Sequence, residues 1–179
     1  TEKEKKYFTL VLKGHLNLAA AKFRYGCTDL NLDYIAREPL WQLGEDYNHG
    51  TGHGVGYLGN IHEAPIGFRW KATRDAMCEI EPGMVITNEP GIYIEGSHGI
   101  RIENELLVRA GEKNEYGQFL YFEPLTFVPI DLDALRPELM TEEEKQLLNA
   151  YHQSVYEKIS PYLEAEEKEW LKEYTRPVK

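Results

Sequence analysis

Cysteine is scarce in this chain of 179 residues: only Cys27 and Cys78 are present, far apart and without the short spacings of a thiolate metal site. Two such thiols read as reduced, which excludes a disulfide-stapled scaffold and fits a cytoplasmic setting. Positive charge is also in short supply. Twenty Lys and Arg against 30 Asp and Glu leave a formal charge of −10. That balance argues against a nucleic-acid surface, which normally shows a basic face. No apolar run approaches the roughly 18 residues of a membrane span, and the opening TEKEKKYFTL lacks the apolar core of a signal peptide. Internal repeats and low-complexity tracts are missing too. What remains is an ordinary globular composition, 42% hydrophobic and 28% charged, long enough for a sizeable core.

Thr1-Glu-Lys-Glu4 fits a capping box and opens a helical pattern. Phe8, Val11, Leu12, Leu16, Ala19, Ala20 and Phe23 recur at three and four, with Gly26 as terminator. His15 lies among these apolar residues and reads as a buried, hydrogen-bonded histidine and not as a ligand. Thr28-Asp29 caps a second helix, with Leu30, Tyr34 and Ile35 inward, expected to stop before Pro39. From about residue 45 the helical period gives way to β-type runs: MVITNEPGIYI (84–94), GIRIENELLV (99–108) and FLYFEPLTFVPI (119–130). The first two read as a hairpin across Glu95–Gly99. Beyond Pro129 the helical character returns. Thr141–Glu144 is a second capping box, and Leu147, Tyr151, Val155 and Ile159 mark one face of a helix ending before Pro161. A last acidic helix carries Leu163, Trp170, Leu171 and Tyr174, its glutamates a solvated face. Helices, then strands, then helices predict an α+β fold.

The stretch HGTGHGVG (49–56) places glycine at every second position. Gly54-Val-Gly56-Tyr-Leu-Gly59 matches the dinucleotide pattern G-x-G-x-x-G, but no clear strand precedes it and Asn60-Ile-His-Glu-Ala-Pro65 does not open a long helix. As an extended segment, His49, Thr51, His53 and Val55 share one face, and the glycines leave the other as bare backbone that a neighbour can approach closely. Histidines offered from so narrow a wall suit metal ligation or proton transfer. If the hairpin is centred on Ser97, Glu89 pairs with Glu105, and Glu103 stands on the same face. Carboxylates so arranged share one small site around a proton or a cation, or else form an outward, solvated face. An even slip of register keeps that geometry; an odd slip destroys it.

Three blocks in order, HGTGHGVGYLGNIHEAP, PGMVITNEPGIYI and GIRIENELLV, resemble the signatures of aminopeptidase P, the Xaa-Pro aminopeptidases of the pita-bread metallopeptidases. FTLVLKGH resembles the helix preceding the histidine block, and the tail from PLTFVPI onwards resembles the C-terminal extension of the longer aminopeptidases P. The resemblance implies the C-terminal part of a catalytic domain at 1–130 and a helical extension at 131–179. It also implies two divalent metal ions, typically manganese, with His53, Glu89 and the bridging Glu103 among their ligands. Glu89 would manage the proton of a metal-bridging hydroxide, His62 and His49 would contact the substrate or its transition state, and Arg101 would line the site. Substrates would be peptides with proline in second position, and exposed faces of the tail would form a homodimer. His98 matches no family ligand and reads as a turn residue.

The family's two aspartate ligands stand in a block Asp-Gly-x-x-x-Asp that has no counterpart here. Asp29, Asp33 and Asp46, ahead of the histidine block, lie in other contexts. The chain is therefore expected to be part of a longer enzyme and inactive alone. Prolidase, acting on Xaa-Pro dipeptides, is the nearest rival within the enzyme class. A non-catalytic pita-bread binding or scaffold protein is the rival outside it.

Overall fold

The computed structural model describes residues 1–72 and 77–179. In chain order the described elements are α1 (Glu2–Ala19), β1 (Lys22–Arg24), α2 (Asp29–Trp41), β2 (Gly54–Val55), β3 (His62–Glu63), β4 (Val85–Asn88), β5 (Gly91–Ile94), β6 (His98–Arg101), β7 (Asn104–Asn114), β8 (Gly117–Pro124), α3 (Glu142–Ile159) and α4 (Ala165–Tyr174). Six strands form one antiparallel sheet in the order β1-β8-β7-β4-β2-β3, and β5 and β6 form a separate two-stranded ribbon.

Both anticipated capping boxes are present, at Thr1–Glu4 and at Thr141–Glu144. Several expectations fail at the boundaries and faces. The first helix ends at Ala19, and Phe23 belongs to β1, where it packs under the sheet. The second helix runs through Pro39 to Trp41. Its inward face is Leu32, Asp33, Ala36, Arg37 and Leu40, whereas Tyr34 is exposed. Apolar periodicity misplaces this face because two of its buried members are charges that neutralise each other. The run 119–130 is a strand only as far as Pro124. On α3 the buried positions are Glu144, Leu148, His152 and Val155, a face turned from the expected one.

The ladders β4–β7 and β5–β6 keep one register: Asn88 pairs with Asn104, and Gly91 with Arg101. Between them both chains leave the ladder, at Glu89-Pro90 and at Ile102-Glu103, where Pro90 has no N–H to give. The turn is centred on Gly96 (φ +70°), not Ser97. Glu105 accordingly pairs with Thr87, and Glu103 takes the position opposite Glu89. The register is thus slipped by two residues from expectation, an even slip that keeps both glutamates on one face.

Two apolar clusters hold these elements. Leu18, Phe23, Leu32, Ala36, Phe68 and Leu106 are among those between the sheet, α2 and the end of α1. Tyr7, Val11 and Leu12 of α1 join Ile92, Ile102, Leu135, Met140 and Leu148 in the other. The buried Glu144 fastens α3 to α1: Asn17 donates to its Oε1 at 3.1 Å and the Lys13 ammonium lies 3.5 Å from its Oε2.

Two buried imidazoles make this packing acid-sensitive. Burial lowers His15 to about 4, against the pull of the Asn88 carbonyl. Burial also lowers His152 to about 4, with the charge of Arg176 acting the same way. His152 Nε2 accepts the Ile130 N–H at 3.0 Å, a bond that a proton on that nitrogen would abolish. Below its ordinary value of 6.5 each histidine is protonated in the unfolded chain but not in the folded one. Stability is therefore complete above that value and falls as pH drops toward 4, by up to about 3 kcal/mol per pH unit where both contribute fully. Urea unfolding at pH 7 and pH 5 checks this; equal midpoints would refute it.

Candidate metal centre

The glycine–histidine stretch is mostly not a strand. Only Gly54-Val55 is ladder, and the residues before it thread between two other segments. On one side Thr51 N–H donates to Phe68 O (2.9 Å) and Gly54 N–H to Ile66 O (2.9 Å). On the other, Thr87 N–H donates to His53 O (2.9 Å) and Glu89 N–H to Thr51 O (2.7 Å). This spacing forbids side chains at the glycines. A Cβ on Gly52 would stand 1.8 Å from the Thr87 carbonyl oxygen, one on Gly54 2.3 Å from that of Glu63, and one on Gly56 1.7 Å from that of Asn60. Close backbone approach, read from the alternation, is what the glycines provide. Thr51 leaves the expected histidine face: it is buried and donates to Asp33 Oδ1 at 2.6 Å.

Threading aims His53 at the carboxylates. One nitrogen or oxygen from each of His53, Glu89 and Glu103 lies within 4.8 Å of the others, the one such trio of His, Cys, Asp or Glu side chains among the described residues. His53 Nδ1 is 2.9 Å from the Gly54 carbonyl oxygen, which can only accept, so this nitrogen carries the hydrogen. The lone pair of Nε2 then faces Glu89 Oε1 at 3.2 Å. Two lone-pair atoms that close require a proton or a cation between them. Glu103 makes the same demand: burial, and then the charge of Glu89, raise its carboxyl above the ordinary range. One imidazole nitrogen and two carboxylates are a donor set suited to a divalent transition metal.

The hydroxyl of Thr87 wires two members of this trio together. It accepts the His53 N–H at 3.0 Å and donates to Glu89 Oε1 at 3.0 Å. Around the trio stand the other sequence-predicted residues. The His62 ring lies against that of His53, centroids 3.9 Å apart, and Arg101 Nη1 is 3.8 Å from Glu89 Oε2. His49 and Arg101 meet through a residue not anticipated, Tyr93. Arg101 Nε donates to its hydroxyl at 2.8 Å, and that hydroxyl lies 3.0 Å from His49 Nε2. A period-two step from Glu89 through Gly91 to Tyr93 is the signal that finds it. His98 sits at the end of the ribbon, with Nδ1 2.9 Å from Ser97 Oγ, outside this cluster. Asp33 and Asp46 are not near-ligands either; both are bound by Arg37.

Known proteins match along the whole chain. Residues 1–110 fit the profile of metallopeptidase family M24, and residues 118–178 that of the C-terminal region of peptidase M24. A probable Xaa-Pro aminopeptidase P from Talaromyces marneffei is 46% identical across 100% of this chain, which covers 28% of that protein. The crystal structure of X-prolyl aminopeptidase from Caenorhabditis elegans, a cytosolic enzyme with a di-nuclear active site, matches with a TM-score of 0.90 at 40% identity. That match covers 99% of this chain and 29% of the other. Xaa-Pro dipeptidase from Bacillus anthracis matches with a TM-score of 0.56 at 33% identity, covering 74% of this chain and 33% of that one. The chain thus spans less than a third of the length of the two aminopeptidases.

Two substitutions test the threading. Gly52→Ala drives a methyl into the Thr87 carbonyl and should cost about 3 kcal/mol in denaturant unfolding. Thr87→Val leaves the His53 N–H without an acceptor and should cost about 1–3 kcal/mol. Wild-type stability in either variant contradicts the geometry.

Proposed function

Because this chain belongs to metallopeptidase family M24 and carries the α+β pita-bread fold of its structural relatives, we propose that it supplies His53, Glu89 and Glu103 to a metal centre hydrolysing the N-terminal Xaa-Pro bond of peptides. The observation that carries this is the convergence of the three donors within 4.8 Å, with His53 Nε2 left free to ligate. In this reading His53, Glu89 and Glu103 would help to hold two divalent cations, with manganese as the proposed metal. Bound cations of this kind supply Lewis-acid polarisation of the scissile carbonyl and acidification of a water.

The chain's own residues have separate tasks. Glu89 receives and returns the proton of the attacking water, its Oε1 held by the Thr87 hydroxyl and its Oε2 facing Arg101. His62, exposed on β3, presents its ring to the substrate or its transition state beside His53. His49, Tyr93 and Arg101 form a linked wall that orients the peptide. We assign residues 1–130 to the catalytic domain and 131–179 to a helical extension, whose surface pair Trp170 and Tyr174 fits a contact between two copies. A cytoplasmic setting fits the same reading, and no described helix is long and apolar enough to cross a membrane.

Prolidase activity is the second reading, favoured by the dipeptidase likeness. That likeness covers 74% of the chain, against 99% for the aminopeptidase. The complete protein should therefore cleave Arg-Pro-Pro in preference to Gly-Pro, and the reverse preference would install the rival. Glu89→Gln in the complete protein should lower kcat at least about 100-fold with the far-UV circular dichroism unchanged. Near-normal turnover would sink the assignment, and absence of both bound metal and hydrolysis in the wild type would favour a scaffold. Three convergent donors would be only part of the ligand set that two cations need, so the 179-residue chain alone should not cleave Xaa-Pro bonds. Turnover by that chain would refute this.

A further inference from the structure

Behind the three donors lies a histidine that the proposed chemistry does not use. His15, on α1, is 2% exposed, and its Nδ1 lies 3.1 Å from the carbonyl oxygen of Asn88. The contact is reciprocal: Asn88 Nδ2 donates to the His15 carbonyl oxygen at 2.9 Å. The backbone of Ile102 faces the same ring. Asn88 immediately precedes Glu89, and Ile102 immediately precedes Glu103. One imidazole therefore meets both chain segments a single residue away from the two carboxylates.

The main chain is poorly equipped to fix that separation. The ladder stops at Asn88–Asn104 and resumes at Gly91–Arg101, and across the gap runs a 3.3 Å bond from Ile102 N–H to Pro90 O. Core filling does not require a polar group here either, since Val11, Leu12 and Leu16 on the same helix are apolar and buried. An imidazole at this place supplies directional contacts that a leucine of similar size lacks.

Resting on the reading of His53, Glu89 and Glu103 as a cation site, we propose that His15 is a positioning residue of that site, holding the Asn88 backbone, with the Ile102 backbone beside the same ring, and so setting where Glu89 stands relative to Glu103. It touches neither cation nor substrate. The test titrates Mn2+ into the complete wild-type protein and into His15→Leu and His15→Asn, reading free Mn2+ by electron paramagnetic resonance. His15→Leu should weaken Mn2+ binding about tenfold or more, as loss of a ligand's supporting partner does. His15→Asn keeps an N–H near the place of Nδ1 and should stay within about threefold of the wild type. Unchanged affinity in His15→Leu overturns the inference, and so does equal weakening in both variants, which would mark a general loss of packing. If His15→Leu does not fold, His15→Phe takes its place, keeping a ring but no Nδ1 hydrogen: weakened Mn2+ binding supports the grip, and wild-type affinity overturns it. A wild-type protein that binds no Mn2+ overturns the cation-site reading, and this inference with it.

Discussion

Two backbones meet in this protein at a distance that no side chain permits. Gly52 lies so near the Thr87 carbonyl that a Cβ would overlap it at 1.8 Å, and the placement of His53 beside Glu89 follows from that approach. It lets Thr87 N–H reach His53 O and Glu89 N–H reach Thr51 O. It also places the Thr87 hydroxyl where it can serve His53 and Glu89 at once. A histidine held by backbone bonds on both sides needs no further ordering before it takes up a ligand, which is the advantage of building a site on rigid neighbours.

The approach is held from below by buried charge. Asp33 and Arg37 are both 0% exposed and lie one helical turn apart on α2. Arg37 also donates to Tyr47 O at 2.8 Å, to His49 O at 2.7 Å and to Asp46 Oδ1 at 2.7 Å, while its guanidinium sits 4.0 Å from the centre of the Tyr47 ring. A buried ion pair stabilises little on balance, since desolvation offsets most of the attraction. Its worth here is directional: the guanidinium collects the carbonyls of the segment 46–49 and fixes where the histidine stretch begins.

Local signals were readable in the sequence. Both capping boxes, at Thr1 and Thr141, are satisfied within three residues, and the glycine alternation meant close approach because only glycine tolerates it. The even parity of Glu89 and Glu103 survived a wrong turn centre, because only an odd slip would have parted them. What escaped was non-local. The inward face of α2 was missed because Asp33 and Arg37 satisfy each other out of reach of hydropathy. The tasks of Thr87 and Tyr93 were missed because their partners lie 34 and 44 residues away at His53 and His49. The rotated face of α3 was missed because a buried glutamate and histidine stand where the pattern expects leucine.

The grip of Glu144 on Lys13 and Asn17 has a consequence for how this chain holds together. The M24 match and the match to its C-terminal region adjoin between residues 110 and 118, yet Leu148 from the second is packed in the same apolar cluster as Tyr7 and Leu12 from the first. The seam between the two matched regions is thus not a seam in the solid. Helix α1 packs against the β5–β6 ribbon and against α3 at once, so the tail and the helix that carries His15 share one set of buried contacts.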